Sequence, residues 1–133
     1  MELYKSSFLV IEQMPEIQGI KIKWQEASER MTNEQFKKEI LGEIKAIETA
    51  KPKCIFADTL DMRFTINIVL QEWHNAEVFP VFLSVGVRKL AVLVSTDIFA
   101  QVAIQQLVED GSDNKLITNY FETEAAALKW LKS

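Results

Sequence analysis

Lys53 Cys54 Ile55 Phe56 Ala57 Asp58 Thr59 Leu60 Asp61 Met62 Arg63 Phe64 Thr65 Ile66 Asn67 is the stretch on which the fold turns. Cys54 to Ala57 is apolar without alternation, the pattern of a strand covered on both faces, as crossover helices produce in a parallel sheet. A polar turn follows from Asp58. Thr65 or Asn67 is then placed to cap a helix in which Ile66, Leu70 and Trp73 share one stripe. In an open α/β sheet, ligands and regulatory groups sit at the ends of such strands, so Asp58 to Asn67 is the first place to look for function.

Upstream, Tyr4 to Met14 alternates and then turns apolar through Phe8, Leu9, Val10 and Ile11, which predicts a strand. Pro15 and Glu16 break it. Ile17, Ile20, Ile22 and Trp24 follow with Lys21 and Lys23 in the alternate places, a half-exposed strand and the hairpin partner of the first. Gly19 within it is expected to mark a bulge. Thr32 with Gln35 three places on forms a capping box for a helix whose apolar side is Phe36, Ile40, Ile44 and Ile47. Lys37, Lys38, Glu39, Glu43, Lys45 and Glu48 are assigned to its solvated faces. It ends before Lys51 and Pro52.

Downstream, Pro80 interrupts the helix after Asn67, so either a kink near Glu77 or a fresh helix from Phe79 through Phe82 to Val85 is expected. Gly86 suits the left-handed position that closes it. Leu90 to Val94 is a second continuous apolar strand, and Ser95, Thr96 and Asp97 stand ready to cap the helix from Ile98 to about Val108. That helix is apolar almost all round apart from Gln101, Gln105 and Gln106, which predicts burial by more than the sheet. A polar loop is expected over 109–114, then a strand at Leu116 to Phe121. A closing helix at Glu122 to Leu131 would turn Ala126, Trp130 and Leu131 to the core. The order is ββαβαβαβα: an α/β fold with a mostly parallel mixed sheet, an antiparallel N-terminal hairpin strand and helices packed on the sheet.

The 133 residues suffice for one domain with a sizeable core. Hydrophobic residues at 48% and charged residues at 26% are those of an ordinary globular chain. The net charge of −4, with lysines interleaved among glutamates, argues against nucleic acid as a partner. The single cysteine excludes an internal disulfide, no signal-peptide pattern opens the chain, and no apolar run approaches the roughly 18 residues of a membrane span. The expected location is the cytoplasm.

Three pieces resemble a known family. The strand ending in Asp58 and Thr59, the segment Val94 Ser95 Thr96 Asp97 Ile98 Phe99 Ala100 Gln101, and the tail with Tyr120 Phe121, Glu124 Ala125 Ala126 and Trp130 Leu131 together are similar to the SpoIIAA-like proteins. These are small bacterial STAS-type domains, a fold similar in shape to the CRAL-TRIO lipid-binding domains. In the anti-sigma-factor antagonists that give the fold its name, a serine in an Asp-Ser-Ser segment at the start of the helix after this strand is phosphorylated. The matching Phe64 Thr65 Ile66 Asn67 has no serine, and Thr65 is its only hydroxyl. The wider family is mostly uncharacterised, so the resemblance implies fold more than function.

The residues themselves advertise no chemistry. Asp58 with Asp61 superficially resembles the phospho-acceptor site of a response regulator, but Leu9 to Met14 ends in Glu12 and Gln13 and supplies no acidic pair to cage magnesium. Asp58 is instead expected to bond nearby backbone amides in a turn. One histidine, His74, and one cysteine, Cys54, at no ligand spacing do not make a zinc site, and His74 has no neighbouring nucleophile. Gly19, Gly42, Gly86 and Gly111 are too scattered for a phosphate loop.

Met62, Phe64, Trp73, Phe79, Phe82 and Phe99 gather around the two strand ends, as core or as an apolar pocket between the Trp73 and Phe99 helices. The expectation is thus a non-enzymatic protein without metal or cofactor. It would act as a regulatory protein-interaction module, with a protein partner or as a homodimer through Phe79 to Phe82 or the Phe99 helix. The alternatives are a carrier or sensor of a small apolar or lipid-like molecule, and a phosphorylation-switched antagonist. The candidate binding rim comprises Asp58, Asp61, Thr65, Asn67, Trp73, Phe79, Phe82, Thr96 and Phe99.

Overall fold

The computed structural model describes residues 1–111 and 116–133. Its strands are β1 (Glu2–Lys5), β2 (Leu9–Met14), β3 (Gly19–Trp24), β4 (Cys54–Asp58), β5 (Lys89–Leu93) and β6 (Ile117–Phe121). The helices are α1 (Asn33–Ala50), α2 (Ile68–Val85), α3 (Ile98–Gly111) and α4 (Glu124–Leu131). One mixed sheet carries the six strands in chain order, β1-β2-β3-β4-β5-β6. The pairs β1·β2 and β2·β3 are antiparallel, and β3 to β6 run parallel.

Strand order and handedness together place the helices. Each of α1, α2 and α3 connects a parallel strand to its next neighbour in the same direction, and right-handed crossovers then put all three on one face. There α1 packs on α2 and α2 on α3. The face beneath them presents Leu9, Ile11, Ile20, Ile22, Trp24, Ile55, Leu90 and Val92 to the main core. The last helix, α4, has no further strand to reach. It covers the opposite face, where Ala127 and Leu131 meet Cys54, Phe56, Ala91 and Leu93. Coverage on both faces explains why Cys54 to Ala57 and Leu90 to Leu93 read as unbroken apolar runs, whereas β3, open on one face, alternates.

The caps follow the sequence closely. Thr32 and Gln35 form the reciprocal capping box of α1, Asn67 accepts from Leu70 N to start α2, and Gly86 ends α2 at φ 88°.

Several expectations give way. The strand expected over Tyr4 to Met14 is two strands, because the Ser6 hydroxyl accepts from Phe8 N at 3.0 Å and Leu9 N at 3.1 Å and turns the chain back on itself. Gly19 marks no bulge: β2 and β3 stay in register, and the irregularity lies between Glu2 and Tyr4. Gly19 is there because a Cβ would stand 2.7 Å from both the carbonyl oxygen and Sγ of Cys54. No fresh helix starts at Phe79. α2 runs through Pro80, which is exposed together with Ala76, so water can take the carbonyl that loses its partner. The last helix begins at Glu124 behind a Thr123 cap, and this phase buries Ala127 while leaving Ala126 exposed. The start of the loop expected over 109–114 is the last turn of α3, and residues 112–115 lie outside those described.

Candidate functional site

The polar end of β4 is closed, not open. Asp58 is buried, its Oδ1 accepts from Leu60 N at 3.2 Å, and its other oxygen lies 3.9 Å from Lys21 Nζ and 3.6 Å from Lys23 Nζ. Lys23 also reaches half-exposed Asp61 at 3.9 Å. Asp58 is thus the turn-bonding residue expected, with two lysines from β3 balancing its charge. Beyond it the loop is fastened on every side. Thr59 Oγ1 donates to the Leu93 carbonyl, Thr96 Oγ1 to that of Leu60 at 3.2 Å, and Ser95 Oγ to that of Met62 at 2.8 Å. Arg63 N donates to the buried Ser28 hydroxyl at 2.9 Å. Among the described residues no group of three or more His, Cys, Asp or Glu side chains converges as a metal site. Burial pushes the Cys54 thiol pKa up, which makes it a poor nucleophile.

The apolar set divides. Met62, Phe64, Phe79 and Phe82 are buried, Trp73 is half-buried with Lys37 Nζ 5.4 Å from its ring centre, and Phe99 points out. The Phe79 and Phe82 side chains are thus not presented at the surface, although Pro80 between them is exposed. α3 is not wrapped by more than the sheet and α2 either: Ile98 is 66% exposed, Phe99 74% and Val102 49%. Across from them Ile68 is 69% exposed, while Val69, 73% exposed, borders a separate groove with Asn33, Glu34 and Lys37 of α1. Ile68, Ile98, Phe99 and Val102 form an apolar rim at the neighbouring ends of α2 and α3.

Local sequence explains the rim. Both helices start alike, with a capping side chain followed by two large apolar residues: Asn67-Ile68-Val69, and Asp97-Ile98-Phe99, in which Asp97 Oδ1 accepts from Phe99 N at 3.0 Å and Ala100 N at 3.3 Å. First-turn positions lie beyond the edge of the core, and there Asp or Glu is the usual occupant. Neither helix has an acidic first turn. The repeated cap-apolar-apolar step is the signal in the sequence that locates Ile68, Val69 and Ile98, which composition alone does not single out.

Between the two helix starts runs a groove lined by Ile66, Ile68, Gln71, Ile98, Phe99 and Val102, with Thr65, Asn67, Ala103 and Gln106 at its margins. No lining side chain is ionisable. Thr65 and Thr96 are exposed nearby, so the structure brings Thr65, Asn67 and Phe99 together and leaves Asp58 and Asp61 on the far side of the sheet with the lysines.

Beneath α2, a second space of about 70 Å³ lies inside the core. Phe36, Ile40, Met62, Phe79, Phe82 and Ile104 are among its walls, and so are Glu43 and His74. Glu43 was assigned to a solvated face and is buried instead. The signal was present: Phe36, Ile40, Glu43 and Ile47 step by four, three and four, so Glu43 occupies a place in the apolar stripe of α1. Burial raises its pKa from 4.5 to about 8. It lowers that of His74 from 6.5 to about 4, against a smaller raising effect of the Asn75 hydrogen bond.

No helix among the described residues is long and apolar enough to cross a membrane. Compared with protein-family models, with curated proteins and with solved structures, the chain finds no match.

Proposed function

We propose that this chain is a non-enzymatic, SpoIIAA-like regulatory domain that works by protein interaction, and that its docking surface is the uncharged rim of α2 and α3. The family reading rests on the three sequence segments that resemble those proteins. The α/β architecture, with its parallel strands and covering helices, is compatible with it. The observation that carries the interaction reading is the rim itself, four apolar side chains, Ile68, Ile98, Phe99 and Val102, 49–74% exposed around a groove without an ionisable side chain. Contiguous apolar surface of this kind marks association sites on soluble domains.

The occupant is a second copy of the chain. A chain of net charge −4 repels itself wherever like charges meet, and in a two-fold pairing every group faces its own copy or that copy's neighbours. The groove is free of that penalty. A basic fringe suited to anionic lipid is also missing from its lining.

Sedimentation equilibrium over a wide concentration range tests this. The wild type should rise from 15.3 kDa toward twice that mass, and Phe99→Glu or Ile68→Glu should hold it at the monomer without altering the circular dichroism spectrum. A wild type that stays monomeric throughout, or a Phe99→Glu variant that associates like the parent, overturns the reading.

A further inference from the structure

The rim of α2 and α3 has a neighbour on the α1 side. There Asn33, Glu34 and Lys37 from the start of α1 face Asn67, Ile68 and Val69 from the start of α2 across a second groove. Asn67 and Ile68 line both grooves, so the first turns of α1, α2 and α3 make one continuous strip with Ile68 between its two halves. Val69 carries the apolar surface on toward α1. The strip holds two charges, and they are opposite. Glu34 and Lys37 are both exposed and lie one turn apart on α1, a spacing at which such residues commonly pair. They do not pair here. Lys37 Nζ instead sits 5.4 Å from the centre of the Trp73 ring, and Glu34 has no ion-pair partner among the described residues.

We propose, on the basis of the self-association reading above, that a second copy packs along the whole strip about a two-fold axis running across the three helix starts, and that Glu34 of each protomer pairs with the partner's Lys37. Two-fold contact is reciprocal: if one residue meets another, the second also meets the first. An axis lying along the strip sets each groove against its own copy. Ile68, Ile98, Phe99 and Val102 then find apolar surface opposite them. In the α1/α2 groove the same axis, passing between Glu34 and Lys37, turns each carboxylate onto the other copy's ammonium, so the contact forms twice. An axis parallel to the helices would instead set the charged groove against the apolar one. That arrangement takes water from Glu34 and Lys37 without supplying a counter-charge. A second copy in the first arrangement is therefore complementary to the strip in charge as well as in apolarity. Exposed ion pairs are individually weak, and these two serve to fix the register of the pairing.

Charge reversal in the full-length chain, read by sedimentation equilibrium, tests the pairing. Glu34→Lys sets lysine against lysine at both contacts and Lys37→Glu sets glutamate against glutamate, so each variant alone should dimerise about tenfold more weakly than the wild type. An equimolar mixture of the two should recover wild-type affinity, because each protomer brings the charge that the other lacks. Native mass spectrometry with one variant isotope-labelled should identify the product as the heterodimer. Glu34→Lys with Lys37→Glu in one chain keeps the net charge at −4 and should pair with itself but not with the wild type. A defect of Lys37→Glu that came only from losing the Trp73 contact would persist in the mixture. The proposal is overturned if the single variants associate like the wild type, or if the mixture stays as weak as its components. Where Phe99→Glu still dissociates the dimer in that case, the rim reading stands without this register. A wild type that is monomeric throughout overturns both.

Discussion

The side-chain amide of Gln71 donates to the backbone carbonyl of Ile66 at 2.8 Å, so a buried residue in the first turn of α2 holds a residue that lines both the outer groove and the inner cavity. The bond spans the cap of the helix. Asn67 starts α2 with its own side chain, and Gln71 reaches back past it to fix the chain on the other side. Gln71→Met keeps the volume and removes the donor, leaving the Ile66 carbonyl without its partner. The expected cost is about 1–2 kcal/mol, read as a lower urea midpoint at unchanged slope.

Phe8, Leu9 and Ile11 show how much of the fold could be read and where reading stopped. Local signals carried over intact: the Thr32 and Gln35 box, the Asn67 cap, Gly86 at positive φ and the unbroken run of β5 each act within a few residues. The turn at Ser6 was missed although the polar run Lys5, Ser6 and Ser7 interrupts the pattern there, because its cause is a side-chain bond that periodicity does not register. Ile98 and Phe99 show a second limit. Their apolarity is plain in the sequence, but whether anything covers them depends on where α3 begins relative to the edge of the sheet. Glu43 failed in the opposite sense, because its charge outweighed its place in the stripe. Of the candidate rim, Thr65, Asn67 and Phe99 meet at the groove, whereas Phe79 and Phe82 line the cavity below.

Gly42 tests the packing of the N-terminal strand on α1. A Cβ there would lie 2.5 Å from Cε1 of Tyr4, whose hydroxyl bonds to Glu39. Helix propensity favours alanine in such a position by about 1 kcal/mol. The clash should reverse the sign, and Gly42→Ala is expected to destabilise by about 1–3 kcal/mol. In a Tyr4→Ala background the same substitution should become neutral or stabilising, and a double-mutant cycle by chemical denaturation measures the difference.

Asp97 separates the stability of the rim from its chemistry. Its Oδ1 satisfies two amides at the start of α3, directly beneath Ile98 and Phe99. Asp97→Ala should cost about 1 kcal/mol and Asp97→Asn much less, because asparagine caps nearly as well. If the rim associates through its apolar side chains, Asp97→Asn should leave the dimer constant near that of the wild type. Thermal denaturation and sedimentation on the same samples give both readings.

Glu43 and His74 oppose one another as pH changes, and the sign of each can be worked out. Glu43 titrates near 8 when folded and at its ordinary 4.5 when unfolded, so between these values the folded state holds the extra proton and stability falls as pH rises. His74 titrates near 4 when folded and at 6.5 when unfolded, so across that interval the unfolded state holds the extra proton and stability rises with pH. From 4.5 to 6.5 the two slopes offset each other. Above 6.5 the Glu43 slope stands alone, and from there to pH 8 it should remove about 2 kcal/mol. Urea midpoints measured from about pH 4 to about pH 9 should therefore decline on the alkaline side of neutrality. In Glu43→Gln that decline should vanish while the acid limb from His74 remains, and a wild-type profile flat from neutrality to alkaline pH would show that the carboxyl is not held neutral in the core.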